Sequence, residues 1–163
     1  MAYTPAETAI LNEIKARLEN ITVANEYNNE FKKIVRGQME PFKGYDLPAV
    51  NYYKPTTEVE KTPYGKNKNL MSVVVEVHSK TRDDYFVDVA DSLAADVATG
   101  LFRATTAPKV SDTESIALGG TVQTITYLGH SPFIGPGEKP FCGTLIRFEI
   151  LFESNIGDME NYS

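Results

Sequence analysis

Cys142-Gly-Thr-Leu-Ile-Arg-Phe-Glu-Ile-Leu-Phe152 is the stretch whose alternation decides the fold. Ile146, Phe148, Ile150 and Phe152 go to one side, following Cys142 and Thr144. Arg147, Glu149 and Glu153 go to the other, interrupted by Leu145 and Leu151. A period of two is the period of a β-strand. One covered face and one solvated face is what an antiparallel sheet needs when its helices lie on one side. A second alternating run, Thr121–Leu128, precedes it, so the two are expected to complete a sheet.

Between these runs stands His130-Ser-Pro-Phe-Ile-Gly-Pro-Gly-Glu-Lys-Pro140. Prolines and glycines mark it as a loop. Loops run over the surface and are ordinarily polar, yet this one carries Phe133 and Ile134. Either the two side chains fold back onto the domain or they are held out for another protein.

Working toward the N-terminus, Leu70–Ser79 is the clearest strand. Met71, Val73, Val75 and Val77 point one way, and Ser72, Glu76 and His78 the other, with Val74 breaking the polar face. Its valine density predicts a central strand. Asp84–Leu101 reads as a helix with Phe86, Val89, Ala90, Leu93, Val97 and Leu101 on a broad apolar face. Thr81, Asp83 and Asp84 supply cap candidates, Ala94, Ala95 and Ala98 allow close approach to a sheet, and Gly100 and then Ala107-Pro108 close the helix. Thr4-Pro5-Ala6-Glu7 opens the first helix as a capping box. Ile10, Leu11, Ile14, Leu18 and Ile21 then form its stripe. Tyr27–Arg36 and Ala49–Lys54 read as strands, Pro55–Asn69 and Thr105–Gly120 as polar loops, and Ile156–Ser163 as a mobile tail. The expected architecture is α+β: one domain over residues 1–155, with two helices on one face of a largely antiparallel sheet of four to five strands.

Composition narrows the function. The 163 residues suffice for one domain with a real core. A net charge of −6 argues against non-specific nucleic-acid binding, which needs a basic face. Lys61, Lys66 and Lys68 around Tyr64 are the best local basic patch and read better as a solvated loop. Cys142 is the only cysteine, so no intrachain disulfide or thiolate metal cluster forms, and the composition fits a reducing compartment. Met1-Ala-Tyr-Thr-Pro5 carries no signal-peptide pattern, and no run approaches the roughly 20 apolar residues of a membrane helix.

Motifs of chemistry are sparse. His78 and His130 are separated by the whole second helix, and solvated or hydrogen-bonded imidazoles outweigh a two-histidine metal site. Asp83, Asp84, Asp88 and Asp91 read as helix-start carboxylates on a solvated face rather than a cation site. Gly119-Gly120 and Gly135-Pro-Gly137 lack the following Lys-Ser or Lys-Thr helix of a phosphate loop, and no G-x-S-x-G elbow exists. The expectation is a non-enzyme without cofactor or metal.

With its elements in order, the chain resembles the tail terminator proteins of long-tailed bacteriophages and related contractile particles. The resemblance covers roughly residues 5–153 and rests on element order and local texture. It runs through the opening helix, Leu-Pro-Ala-Val-Asn-Tyr-Tyr at 47–53 and Val-Val-Val-Glu-Val at 73–77. It continues through Asp88-Val-Ala-Asp-Ser-Leu-Ala-Ala-Asp-Val97 and ends on Thr144-Leu-Ile-Arg-Phe-Glu-Ile-Leu-Phe152. It implies an α+β subunit of a hexameric ring at the head-proximal end of the virion tail. Such a ring caps the tube, stops its polymerisation and presents a surface to neck proteins. The implied partners are further copies of the chain, the tail tube protein and a neck or head-completion protein. DNA would pass through the ring, and assembly would take place in the host cytoplasm. Oligomer interfaces carry apolar and aromatic residues at their centre, which makes Phe133, Ile134, Phe141, Tyr52, Tyr53 and Tyr64 the contact candidates. Another head–tail joining protein is the near alternative. A small ligand-binding or enzymatic α+β domain, with polar groups converging in a pocket, is the distant one.

Overall fold

The computed structural model describes residues 6–61, 66–80, 85–102, 123–135, 141–155 and 158–162. Two helices, α1 (Ala6–Glu19) and α2 (Phe86–Phe102), accompany seven strands. These are β1 (Lys33–Arg36), β2 (Ala49–Tyr53), β3 (Thr57–Lys61), β4 (Lys66–Lys80), β5 (Thr124–Ile134), β6 (Phe141–Asn155) and β7 (Asp158–Tyr162). All lie in one sheet, ordered β1-β2-β4-β6-β5, with β3 on β4 and β7 on β6. Among the described residues only β1 and β2 run parallel, and every other pairing is antiparallel. The α+β class holds, with more strands than the four to five expected.

The spine is the β4·β6 ladder, fifteen residues a side, in register from Lys66↔Asn155 to Lys80↔Phe141. Met71, Val73, Val75 and Val77 of β4 and Ile146, Phe148, Ile150 and Phe152 of β6 are all buried on one face. Ile10, Leu11, Ile14, Leu18 and Ile21 from the first helical stripe join them, as do Leu93, Val97 and Leu101 of α2. Each such side chain taken out of water contributes roughly 1.5–3 kcal/mol. Val75 therefore faces the helices from a central strand, as its alternation requires.

A polar tether holds α2 to the segment after α1. Asp96, buried on α2, accepts from the backbone N–H and the side-chain amide of Asn29, each at 2.7 Å, and from Asn28 at 3.3 Å. The expected strand Tyr27–Arg36 is thus shortened: Asn28 and Asn29 turn to α2, and β1 begins only at Lys33. Helix α2 ends at Phe102, one residue past the expected Leu101, with Gly100 inside its last turn. A Cβ there would lie 2.7 Å from Ile21, so glycine is what lets the end of the first helical segment touch α2.

Three further expectations are corrected. Thr57–Lys61 lies inside the stretch expected to be a loop, yet it pairs with β4 as the edge strand β3. Its sequence, Thr-Glu-Val-Glu-Lys, offers one large apolar residue, too few to print a period of two. Asp158–Tyr162, expected to be tail, pairs with β6 as β7. Strand β5 extends past Leu128 to Ile134, so Phe133 and Ile134 are strand residues, not loop residues. The capping residues Thr4, Pro5, Thr81, Asp83 and Asp84, the segment Thr105–Gly120 and Tyr64 lie outside the described residues.

Candidate contact surface

The sheet face away from the helices carries the candidate site. A β-bulge decides what stands on it. Tyr127 pairs with Phe148, but the next pair is Gly129↔Arg147, leaving Leu128 as the extra residue. Gly129 takes φ +120°, a conformation that suits glycine. Beyond the bulge the alternation is reset. His130, Pro132 and Ile134 fall on the helix side, opposite Ile146, Thr144 and Cys142, and Phe133 falls on the outer side, opposite Gly143. Without the extra residue Phe133 would point at the helices.

Phe133 covers Gly143. A Cβ at Gly143 would lie 2.5 Å from the Phe133 ring and 2.1 Å from the Val77 carbonyl, so only glycine admits the ring at this depth. His78 pairs with Gly143 from the other side and stands between two phenylalanines. Its ring meets Phe133 edge-on at 5.2 Å and Phe42 at 5.1 Å.

Phe42 arrives on a strap that leaves the end of β1. Gly37 N–H donates to the Tyr52 carbonyl at 3.0 Å, continuing the ladder by one bond. Asn51 then clamps Gln38 reciprocally. Its Oδ1 accepts from the Gln38 N–H at 2.9 Å and its Nδ2 donates to the Gln38 carbonyl at 3.1 Å. The Gln38 amide closes the turn on the Glu40 carbonyl at 2.7 Å.

Between this strap and the β5–β6 end lies an open groove of about 490 Å³. Phe42, Phe133 and Phe141 line it, with Glu76 and His78 on its floor. Met39 beside it is 98% exposed and Ile134 55% exposed, an unusual display for large apolar side chains gathered in one place. Glu76 is held from behind: the Tyr53 hydroxyl donates to its Oε1 at 2.7 Å, and His78 Nε2 stands 3.5 Å from its Oε2. Burial, reinforced by this bond to the Glu76 carboxylate, pushes the Tyr53 phenol up to about 12.

The contact candidates therefore divide. Phe133, Phe141 and Ile134 meet at the groove, and Tyr53 stands behind it through Glu76. Tyr52 is corrected: it is 1% exposed, faces the helices opposite Val75, and belongs to the core. Tyr52 and Tyr53 sit mid-strand and point to opposite faces, and the inward one is sealed under the helices. Sequence reasoning missed Phe42, Met39 and the Asn51–Gln38 clamp. The readable signal was an apolar pair flanking Pro41 in an otherwise polar turn.

The two histidines stand on opposite sides of the sheet. The bulge puts Tyr127 and His130, three residues apart, on one face, where the Tyr127 hydroxyl bonds His130 Nδ1. His130 Nε2 reaches Asp91 Oδ1 of α2 at 2.9 Å. With Nε2–H donating to the carboxylate, Nδ1 accepts from the phenol. Burial, and then the Asp91 charge, raise the Tyr127 pKa, so the hydroxyl stays a donor at neutral pH and the chain fastens β5 to α2. Among the described residues no three His, Cys, Asp or Glu side chains gather as they would to hold a metal ion. No helix there is long and apolar enough to cross a membrane.

The chain matches no protein-family model and no curated protein. The surface itself is then what an argument about function rests on.

Proposed function

We propose that this protein acts by binding, as a ring-forming cap at the head-proximal end of a phage tail tube. The observation that carries the reading is the aromatic groove beside Met39 and Ile134, apolar surface left open at one end of a rigid sheet. Surface of that kind is costly to leave in water and marks an interaction site. The order of helix, strands, helix and closing hairpin agrees with what the resemblance implies of the fold. The mechanism is steric. Docking on the last ring of the tube hides the edge to which another tube subunit would add, and the opposite side of the ring is left for a neck protein. Catalysis and cofactors have no part in it.

Negative-stain images of the purified protein, alone and mixed with tail tubes, test the reading. Rings in solution, or rings seated on tube ends, are the expected result. A protein that stays a single subunit by light scattering and leaves tube ends bare would overturn it. Binding at the neck without affecting tube length would favour another head–tail joining protein.

A further inference from the structure

We infer that the groove between the 38–42 strap and the end of β5 receives an extended segment of a partner polypeptide, in which a large apolar side chain is followed by an arginine or lysine. The charge of the site carries this. Among the described residues that line the groove, the side chains of formal charge are Glu40 on the strap and Glu76 on the floor, both acidic, set among Phe42, Phe133 and Phe141, with Lys33 Nζ 5.9 Å from the Phe42 ring beside it. Glu76 is pre-positioned, because Tyr53 fixes one oxygen and leaves the other turned toward His78 and the groove. An apolar stem with a cationic head satisfies both halves of such a site at once. An acidic side chain would meet two like charges. A purely apolar one would leave the Glu76 carboxylate partly desolvated without a counter-charge. The surroundings are rigid on both sides. The strap is clamped by Asn51, and Phe133 is seated on Gly143, so little order has to be created on binding.

Docking here goes beyond the ring and does not require it. The test uses the full chain labelled with nitrogen-15 and two capped pentapeptides, Gly-Leu-Arg-Leu-Gly and Gly-Leu-Glu-Leu-Gly. The arginine peptide is expected to shift the amide signals of Phe42, His78, Phe133 and Phe141 saturably, and the glutamate peptide to leave them in place. Glu76→Gln keeps an oxygen for the Tyr53 hydroxyl and should preserve the spectrum while weakening the arginine peptide about tenfold. Raising salt should weaken it further, as screening demands. No saturable shift, equal binding of both peptides, shifts confined to another face, or indifference to Glu76→Gln would each overturn the inference. So would concentration-dependent shifts of Phe42 and His78 without peptide, which would put a second copy of the chain inside the groove rather than against its Phe133–Ile134 edge. Light scattering on the same samples reads ring formation separately. Rings without peptide binding would remove the groove's cationic partner and leave the ring, and peptide binding without rings would do the reverse.

Discussion

Arg17 of the first helix donates from Nη1 to the backbone carbonyl of Leu101, 2.9 Å away in the last turn of the second. The guanidinium is buried and also holds Glu13 Oε1 at 3.2 Å, one turn back on its own helix. A cation at a helix C-terminus meets the negative end of the macrodipole and satisfies a carbonyl that has no partner within the helix. The bond therefore fixes how the two helices sit on the sheet.

Arg17→Ala should cost about 2–4 kcal/mol, because a buried carbonyl loses its donor and the emptied volume cannot fully collapse. Arg17→Lys should recover only part, since an ammonium cannot reach Glu13 and Leu101 with the spread of a guanidinium. Urea unfolding followed by circular dichroism measures both. Equal stability of wild type and Arg17→Ala would show that the helix pair is held by its apolar contacts alone.

Val75→Asp should abolish folding. Val75 is fully buried between the sheet and the helices, opposite Ile146 on one side and Tyr52 on the other. An unpaired carboxylate there costs several kcal/mol, against a total stability of about 5–15 kcal/mol for a domain. Insoluble protein, or loss of the cooperative thermal transition, is the expected outcome. A soluble variant with an unchanged melting temperature would contradict the packing.

Most of the layer structure was legible because burial prints itself as a period. Met71 to Val77 and Ile146 to Phe152 alternate, and Ile10 to Ile21 recurs at helical spacing, so the helix-facing half of the core could be named residue by residue. Polar structure prints no such period. Asp96, Asn28 and Asn29 build a tether between distant segments from residues that look like a solvated helix face and a polar turn. Strand β3 is held by pairing with β4, not by any apolar pattern of its own. The groove was half visible. Phe133 and Ile134 stood out against their prolines, but the bulge at Leu128 that turns Phe133 to the outer face depends on register, which a single strand does not reveal. Tyr52 and Tyr53 are neighbours in sequence and opposites in space, and composition ranked them equally.

Gly143→Ala should disturb the groove more than its single methyl group implies. The added Cβ meets both the Phe133 ring and the Val77 carbonyl at distances no contact tolerates. Overpacking of this kind costs typically 1–3 kcal/mol. Combining it with Phe133→Ala removes the ring and leaves the carbonyl, so the double variant should regain only part of the loss. The amide signal of His78, which pairs with Gly143, reports the local change, and the melting temperature reports the global one. A fully restored double variant would place the whole strain on the ring.

Stability should fall in alkali through Tyr53. Its folded pKa of about 12 stands above the ordinary phenol value of 10.0. A raised pKa means that the stabilisation is complete below pH 10, where the phenol is neutral in both states. It is then lost progressively as the unfolded chain alone ionises and pH rises toward 12. Tyr53→Phe should be less stable than wild type near neutrality, having lost the bond to Glu76, and the difference should shrink between pH 10 and pH 12. Tyr52 and Tyr127 also have raised pKa values, which makes the wild-type minus Tyr53→Phe difference the quantity to follow. A gap independent of pH over that window would mean that Tyr53 titrates as a free phenol.

Phe133→Ser with Ile134→Ser should leave the fold standing and damage assembly. Ile134 is largely exposed, and Phe133 is half-buried on the outer face, so neither supports the helix-side core. The expected monomer cost is about 1 kcal/mol, from uncovering Gly143 and the edge of His78. A contact between copies has different arithmetic. Burying the two side chains in a neighbour contributes roughly 1.5–3 kcal/mol each at every interface, and a closed ring repeats the interface once per subunit. Normal circular dichroism with failed rings, or with tails of abnormal length, is the expected pair of results. Wild-type assembly would remove Phe133 and Ile134 from the ring contact. A loss of several kcal/mol in the isolated subunit would mean that the outer face supports the fold itself, and a ring contact would then have to be sought on another surface.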